Sequence, residues 1–161
     1  MKRKTFLKLE RRFLALPLHH IDTAIFIESD KETKLGDICA EYLNKVGYKY
    51  RGAISLSVLG EFLLVTLRDA KTSEDRELAL RIFDHIIKKR KIHFATPKIE
   101  AYETAVKVID LDSRIEKTDA LHYAIAVQEK ARAFVTLDEK MVESRTLENK
   151  FDVKIIHPEN L

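Results

Sequence analysis

LPLHHIDTAIFI, residues 16–27, carries a single acid, Asp22, inside a run that otherwise suits a protein interior. An ionised carboxylate taken out of water without a partner costs several kcal/mol, so Asp22 must stay solvated or meet positive charge. The residues before it, LHHI (18–21), read as a short buried strand, and Asp22 stands between that strand and a helix.

The pattern around this stretch repeats along the chain. Further strand candidates are AIS (53–55), IHFA (92–95), AFVTL (133–137) and VKII (153–156). Between them run stretches of helical period: GDICAEYLNKV (36–46), SVLGEFLLVTLRDA (57–70), SEDRELALRIFDHIIKKR (73–90), KIEAYETAVKVIDL (98–111), DALHYAIAVQEKA (119–131) and the polar EKMVESRTLENK (139–150). Short apolar runs alternating with helices are the mark of βα units around a parallel sheet, whose two apolar faces the helices cover. The expected architecture is a three-layer α/β/α domain with a central, mostly parallel five-stranded sheet, spanning residues 16–161 after a basic extension over residues 1–15.

A chain of 161 residues with 45% hydrophobic composition is long enough for one buried core and short for two. Its net charge of +3 is modest, but the basic residues are bunched. MKRKTFLKLERR has six Lys or Arg against one Glu, and Lys88, Lys89, Arg90 and Lys91 form a second run. Such clusters suit a polyanion such as RNA, and equally a solvated helix face. One cysteine, Cys39, excludes an internal disulfide and fits a reducing compartment. No apolar run approaches the ~18 residues of a membrane span, and the basic start lacks a signal-peptide pattern, so a cytoplasmic protein without membrane association is expected. No phosphate-binding glycine motif occurs.

Three more acids stand in apolar surroundings as Asp22 does. Glu61 is the only charge in AISLSVLGEFLLVTL (53–67), Asp119 begins DALHYAIAV, and Asp138 ends AFVTLD. Ligand sites of open α/β sheets lie outside the carboxyl ends of the strands, where Asp22 and Asp138 fall. Glu61 sits about two turns or less into a helix rising from that edge, and the helix opened by Asp119 runs back towards it. If the four meet, they repel one another unless a cation intervenes. Oxygen ligands suit Mg²⁺ or Mn²⁺, one or two ions, and two ions about 3.5–4 Å apart support phosphodiester hydrolysis. Each acid also has an ordinary reading: Asp22, Asp138 and Asp119 (or Thr118) as helix caps, Glu61 paired with Arg68. Thr136 and Thr23 stand where they can hydrogen-bond a carboxylate. Asp110 and Asp112 read as helix-end turn chemistry, His19 and His20 as strand residues on opposite faces, and His122 as a helix-packing residue able to reach the cleft.

The ordered motifs IDTAIFI, ISLSVLGEF, TDALHYAIA and FVTLDEKM resemble those of the PIN-domain nucleases, within them the VapC-like toxin ribonucleases, over roughly residues 18–156. The resemblance implies an α/β/α fold, an acidic cleft for Mg²⁺ or Mn²⁺ and endonucleolytic cleavage of RNA. Asp22, Glu61, Asp119 and Asp138 match the family's acidic quartet as catalytic and metal-binding residues, Thr136 its T-x-D threonine, and Ser55 the polar residue before the glutamate. It also implies a homodimer and, for toxin members, an antitoxin partner. The basic extension, and Gly60 and Val58 beside Glu61, depart from the pattern. The alternatives are a non-catalytic PIN-like module binding RNA or protein and, more remotely, a phosphoacceptor domain using Asp22 with Lys154. Asp22→Asn is expected to abolish cleavage and, with a repulsive charge gone, to leave the metal-free fold as stable or more stable.

Overall fold

In the computed structural model the backbone is described for residues 3–161 and the side chains for residues 8–161, so the basic residues Lys2, Arg3 and Lys4 lie outside the described side chains. A helix, α1 (Arg3–Leu14), leads into β1 (Leu18–Ile21), followed by α2 (Thr23–Glu28), α3 (Lys34–Lys45), β2 (Arg51–Ser55), α4 (Leu56–Asp69), α5 (Ser73–Arg90) and β3 (His93–Ala95). The second half runs α6 (Ile99–Leu111), α7 (Lys117–Gln128), β4 (Ala133–Val135), α8 (Glu139–Glu143), α9 (Arg145–Phe151) and β5 (Lys154–Ile156).

The five strands form one sheet in the order β3-β2-β1-β4-β5, every pair parallel. Alternation along the strands divides the core in two. Leu18, Ala53, Phe134 and Ile155 pack under α6, α7, α8 and α9. Ile21, Ile54, Ala133 and Val135 pack on the other face against α2, α3, α4 and α5. The expected three-layer α/β/α arrangement is present. The chain winds outward from β1 through β2 to β3, then crosses back to lay β4 on the other side of β1. Connections therefore diverge between β1 and β4, and a crevice opens there beyond their carboxyl ends.

Local chemistry fixes most boundaries. Thr72 and Asp75 form a reciprocal capping box that starts α5, and Lys91, with φ 53°, ends it in the left-handed region. Ser55 starts α4 by accepting from Val58 N at 3.2 Å. Three readings are corrected. EKMVESRTLENK is two helices, because Ser144 donates to Asp112 Oδ2 at 2.9 Å and leaves helical geometry. The helix of Asp119 begins at Lys117 with Glu116 at its N-cap, so neither Asp119 nor Thr118 caps it. Arg68 binds Asp69, not Glu61. A Cβ on Gly52, in β2, would lie 2.8 Å from Val46 Cγ1 and 2.9 Å from Ile92 Cγ1, which explains a glycine inside a strand.

Candidate active site

Asp22 leaves β1 with its own N–H still in the ladder, donating to Val135 O at 3.0 Å. Its side chain is buried and receives three donors. Thr23 N–H reaches Oδ1 at 2.8 Å, Thr136 Oγ1–H reaches Oδ2 at 2.7 Å, and His122 Nδ1 lies 3.2 Å from Oδ1. A carboxylate has no proton to give, so Nδ1 carries the hydrogen of that last contact. Burial alone would raise the Asp22 pKa, but the hydrogen bond and charge of His122, with the bonds from Thr136 and Thr23, outweigh it and lower the pKa. Three donors thus offset the cost of an acid inside this apolar run.

Glu61, half-buried on α4, accepts a hydrogen bond from Thr23 Oγ1. Thr23 thus ties two acids together, one through its amide and one through its hydroxyl. Asp22, Glu61 and His122 each present a ligand atom, the three lying within 4.8 Å of one another. Asp138 begins α8, its Oδ1 accepting from Lys140 N at 2.7 Å and Met141 N at 3.2 Å, while its amide donates to Thr136 Oγ1 at 3.1 Å. Thr136 therefore links Asp138 to Asp22 through one hydroxyl. Asp119, in the first turn of α7, has its pKa pushed up to about 7 by burial and by the charges of Asp22, Asp138 and Glu116, against a smaller opposing effect of His122. The charges of Asp22 and Asp138 thus reach this carboxylate, while among the described residues the group with ligand atoms within 4.8 Å of one another is Asp22, Glu61 and His122, without Asp119 or Asp138. Crowded acids of this kind fit a hard divalent cation, which would relieve their repulsion.

Ser55 is fully buried and bonds Val58 N and Ser57 Oγ (2.6 Å), so its described contacts set the start of the helix that bears Glu61 rather than touching an acid. Asp112 bonds Arg114 and Ser144, which is turn chemistry as expected. Lys154 begins β5, at the opposite end of the sheet from Asp22, and the phosphoacceptor reading fails on that separation. Lys88, Lys89, Arg90 and Lys91 lie where α5 turns into β3, also at the amino edge of the sheet. Lys88 pairs with Asp84 at 2.6 Å, Arg90 bonds Asn44, and Lys91 stands 5.4 Å from the centre of the Phe13 ring. The cations carried by segments that lead to the crevice are Arg114, Lys117 and Lys140, and the charge of Asp138 acts on Arg114. The residue that sequence reasoning underrated is His122. Its spacing three after Asp119 puts it near the cleft, but its bond runs to Asp22, a hundred residues away in the chain.

The family model of the PIN domain matches residues 20–145. No curated protein matches the sequence significantly. Among solved structures, VapBC2 from Rickettsia felis bound to a promoter DNA fragment superposes with a TM-score of 0.62 at 18% identity, covering 87% of this chain and 98% of the other. FitAcB from Neisseria gonorrhoeae gives 0.65 at 15% identity, with 89% and 99% covered. VapC20 from Mycobacterium tuberculosis, a Sarcin-Ricin loop cleaving toxin, gives 0.54 at 13% identity, with 72% and 86% covered. At such identities the likeness carries the fold.

Proposed function

The chain belongs to the PIN-domain family, and from that premise we propose that it is a metal-dependent endoribonuclease with Asp22, Glu61, Asp119 and Asp138 as its catalytic and metal-binding carboxylates. The observation that carries the reading is the meeting of Asp22, Glu61 and His122 within 4.8 Å of one another, beside Asp119, whose pKa burial and the charges of Asp22 and Asp138 push up to about 7. Mg²⁺ or Mn²⁺, one or two ions, would supply the chemistry of activating a water and stabilising the leaving oxygen of a phosphodiester. The protein's share is positioning. Thr23 and Thr136 hold Asp22 in one orientation, Thr23 couples it to Glu61, and the α8 cap fixes Asp138 while leaving its Oδ2 without a described hydrogen bond. Arg114, Lys117 and Lys140 are the cations best situated to hold RNA phosphates beside the acids, with binding that weakens as salt rises. The run at Lys88–Lys91, at the far edge, can grip only a longer stretch of RNA.

We read the chain further as the toxin of a toxin-antitoxin pair, by analogy with the VapBC complexes of the same fold. An apolar groove of about 460 Å³ between α2, α3, α4 and α5, lined by Phe26, Leu43, Phe62, Val65, Ile82 and Phe83 among others, supports a partner segment seated there. Its wall includes α4, the helix of Glu61. Ile99, Tyr102 and Val106 form an exposed stripe on α6 that supports a homodimer. Among the described residues no helix is long and apolar enough to cross a membrane.

The test is purified protein with end-labelled RNA in Mn²⁺ and in EDTA, wild type beside Asp22→Asn. Metal-dependent cleavage lost in the variant supports the assignment. Tight RNA binding with no turnover under any divalent ion supports instead the non-catalytic module.

A further inference from the structure

Three fully buried side-chain nitrogens have no hydrogen-bond partner among the described residues: Nδ1 and Nε2 of His20 and Nε2 of His122. All three lie on the α7 side of the sheet, beneath the acids. His20 is in register with Ala53 and Phe134, its ring 6.0 Å from that of Phe134, and α7 packs on β1 and β4 over this face. Orphaned polar atoms inside a core are costly, so groups that stay there have a task or a shared partner. His122 is buried completely, yet its Nδ1 points 3.2 Å from Asp22 Oδ1.

We propose that His122 is a positioning residue for Asp22, its Nδ1–H holding the Oδ1 of the carboxylate from the buried side. The proposal rests on the ribonuclease reading of the acids and adds a residue outside the carboxylate quartet. The chemistry runs in one direction. Asp22 accepts, so Nδ1 donates. The result is a buried contact from His122 on α7 to Asp22 at the end of β1. It sets the rotation of the carboxylate from behind while Thr23 and Thr136 hold its other lone pairs, leaving a defined direction open towards the crevice. Partners of this kind behind a metal ligand govern metal affinity.

Two variants test the contact on EDTA-stripped protein, with folding checked by thermal melts. Titration calorimetry with Mn²⁺ should show His122→Leu binding about 10–100-fold more weakly than wild type, while His122→Asn, whose amide can donate from the Nδ1 position, stays within about threefold. Cleavage of labelled RNA should follow the same order, with kcat falling and KM for RNA little changed. Wild-type Mn²⁺ affinity in the Leu variant overturns the proposal, as does an Asn variant as weak as Leu. Should Leu fail to fold, long-range ¹⁵N–¹H correlation on the wild-type protein still decides: the proton of His122 must reside on Nδ1, and an Nε2–H tautomer refutes the scheme. A wild-type protein that binds Mn²⁺ but cuts no RNA would count against the nuclease reading while leaving the calorimetry and tautomer results to judge His122.

Discussion

Asp119→Asn should make the metal-free protein more stable, by an amount the site itself sets. The unfolded chain gives up this proton near the ordinary value of 3.8, whereas the folded chain keeps it up to about 7. Across that interval the unfolded state binds fewer protons, so stability falls as pH rises from about 4 to about 7 and stays low above it. The full gap is worth about 4 kcal/mol at roughly 1.4 kcal/mol per tenfold change in proton affinity. Asp119 keeps part of its surface in water, where screening weakens such effects, so about half of that, ~2 kcal/mol, is the expected gain at pH 8. The assay is urea unfolding of wild type and variant at pH 5 and pH 8 in EDTA. The gap should be smaller at pH 5, where part of the penalty is already present, and reach its full size at pH 8 in favour of Asn. Mn²⁺ should reverse the order by stabilising the wild type alone. An Asn variant equal to or less stable than wild type at pH 8 in EDTA would refute the claim that Asp119 is held against its neighbours' charge.

Asp22→Asn should do the opposite to stability. Asp22 is the acid whose charge the fold favours, and losing charge-assisted bonds from Thr23, Thr136 and His122 should cost ~2 kcal/mol in urea unfolding, reversing the expectation of a neutral or stabilising change. Thr136→Val keeps the shape but removes the donor to Asp22 and the acceptor for Asp138 N, and should lower RNA cleavage about tenfold or more at fixed Mn²⁺. Val106→Arg puts charge in the exposed α6 stripe and should shift the protein to monomer in sedimentation equilibrium with an unchanged melting temperature.

The sheet was legible because its strands are short apolar runs bounded by helical period, and β1 falls on LHHI as read. The helix over 73–90 was legible to the residue because Thr72 and Asp75 cap it and no apolar alternative competes. A helix after Asp22 was expected, but the six-residue extent of α2 was not legible, because the apolar stretch is too brief for its period to set bounds. The break at Ser144 escaped because it depends on Asp112, distant in the chain. The acids were legible as misfits, since a charge among apolar residues is visible without a structure. Their different energetic roles were not. Asp22 is favoured and Asp119 opposed through partners brought together by the β1/β4 crossing, and no local pattern records which acid receives the donors. His122 stayed ambiguous for the same reason: on a helix buried nearly all round, spacing alone cannot say which polar group has a distant partner.

The capping role of Asp22 and Asp138 and the metal-binding role proposed for them are compatible in this geometry. Each acid uses backbone N–H groups of the helix it starts, Thr23 N for Asp22 and Lys140 N and Met141 N for Asp138, to fix the carboxylate relative to a strand end. A cap is a rigid mount: it holds the acid in a set orientation and supplies partial positive charge that offsets its burial. In Asp138 both amide bonds fall on Oδ1, so the second oxygen is free of them and is presented by the same geometry that satisfies the helix. Replacing either residue by Ser would keep a cap and remove the second oxygen, so Asp138→Ser should retain stability within ~1 kcal/mol while losing metal affinity. A serine variant that still bound Mn²⁺ like wild type would show that Asp138 is a cap and nothing more.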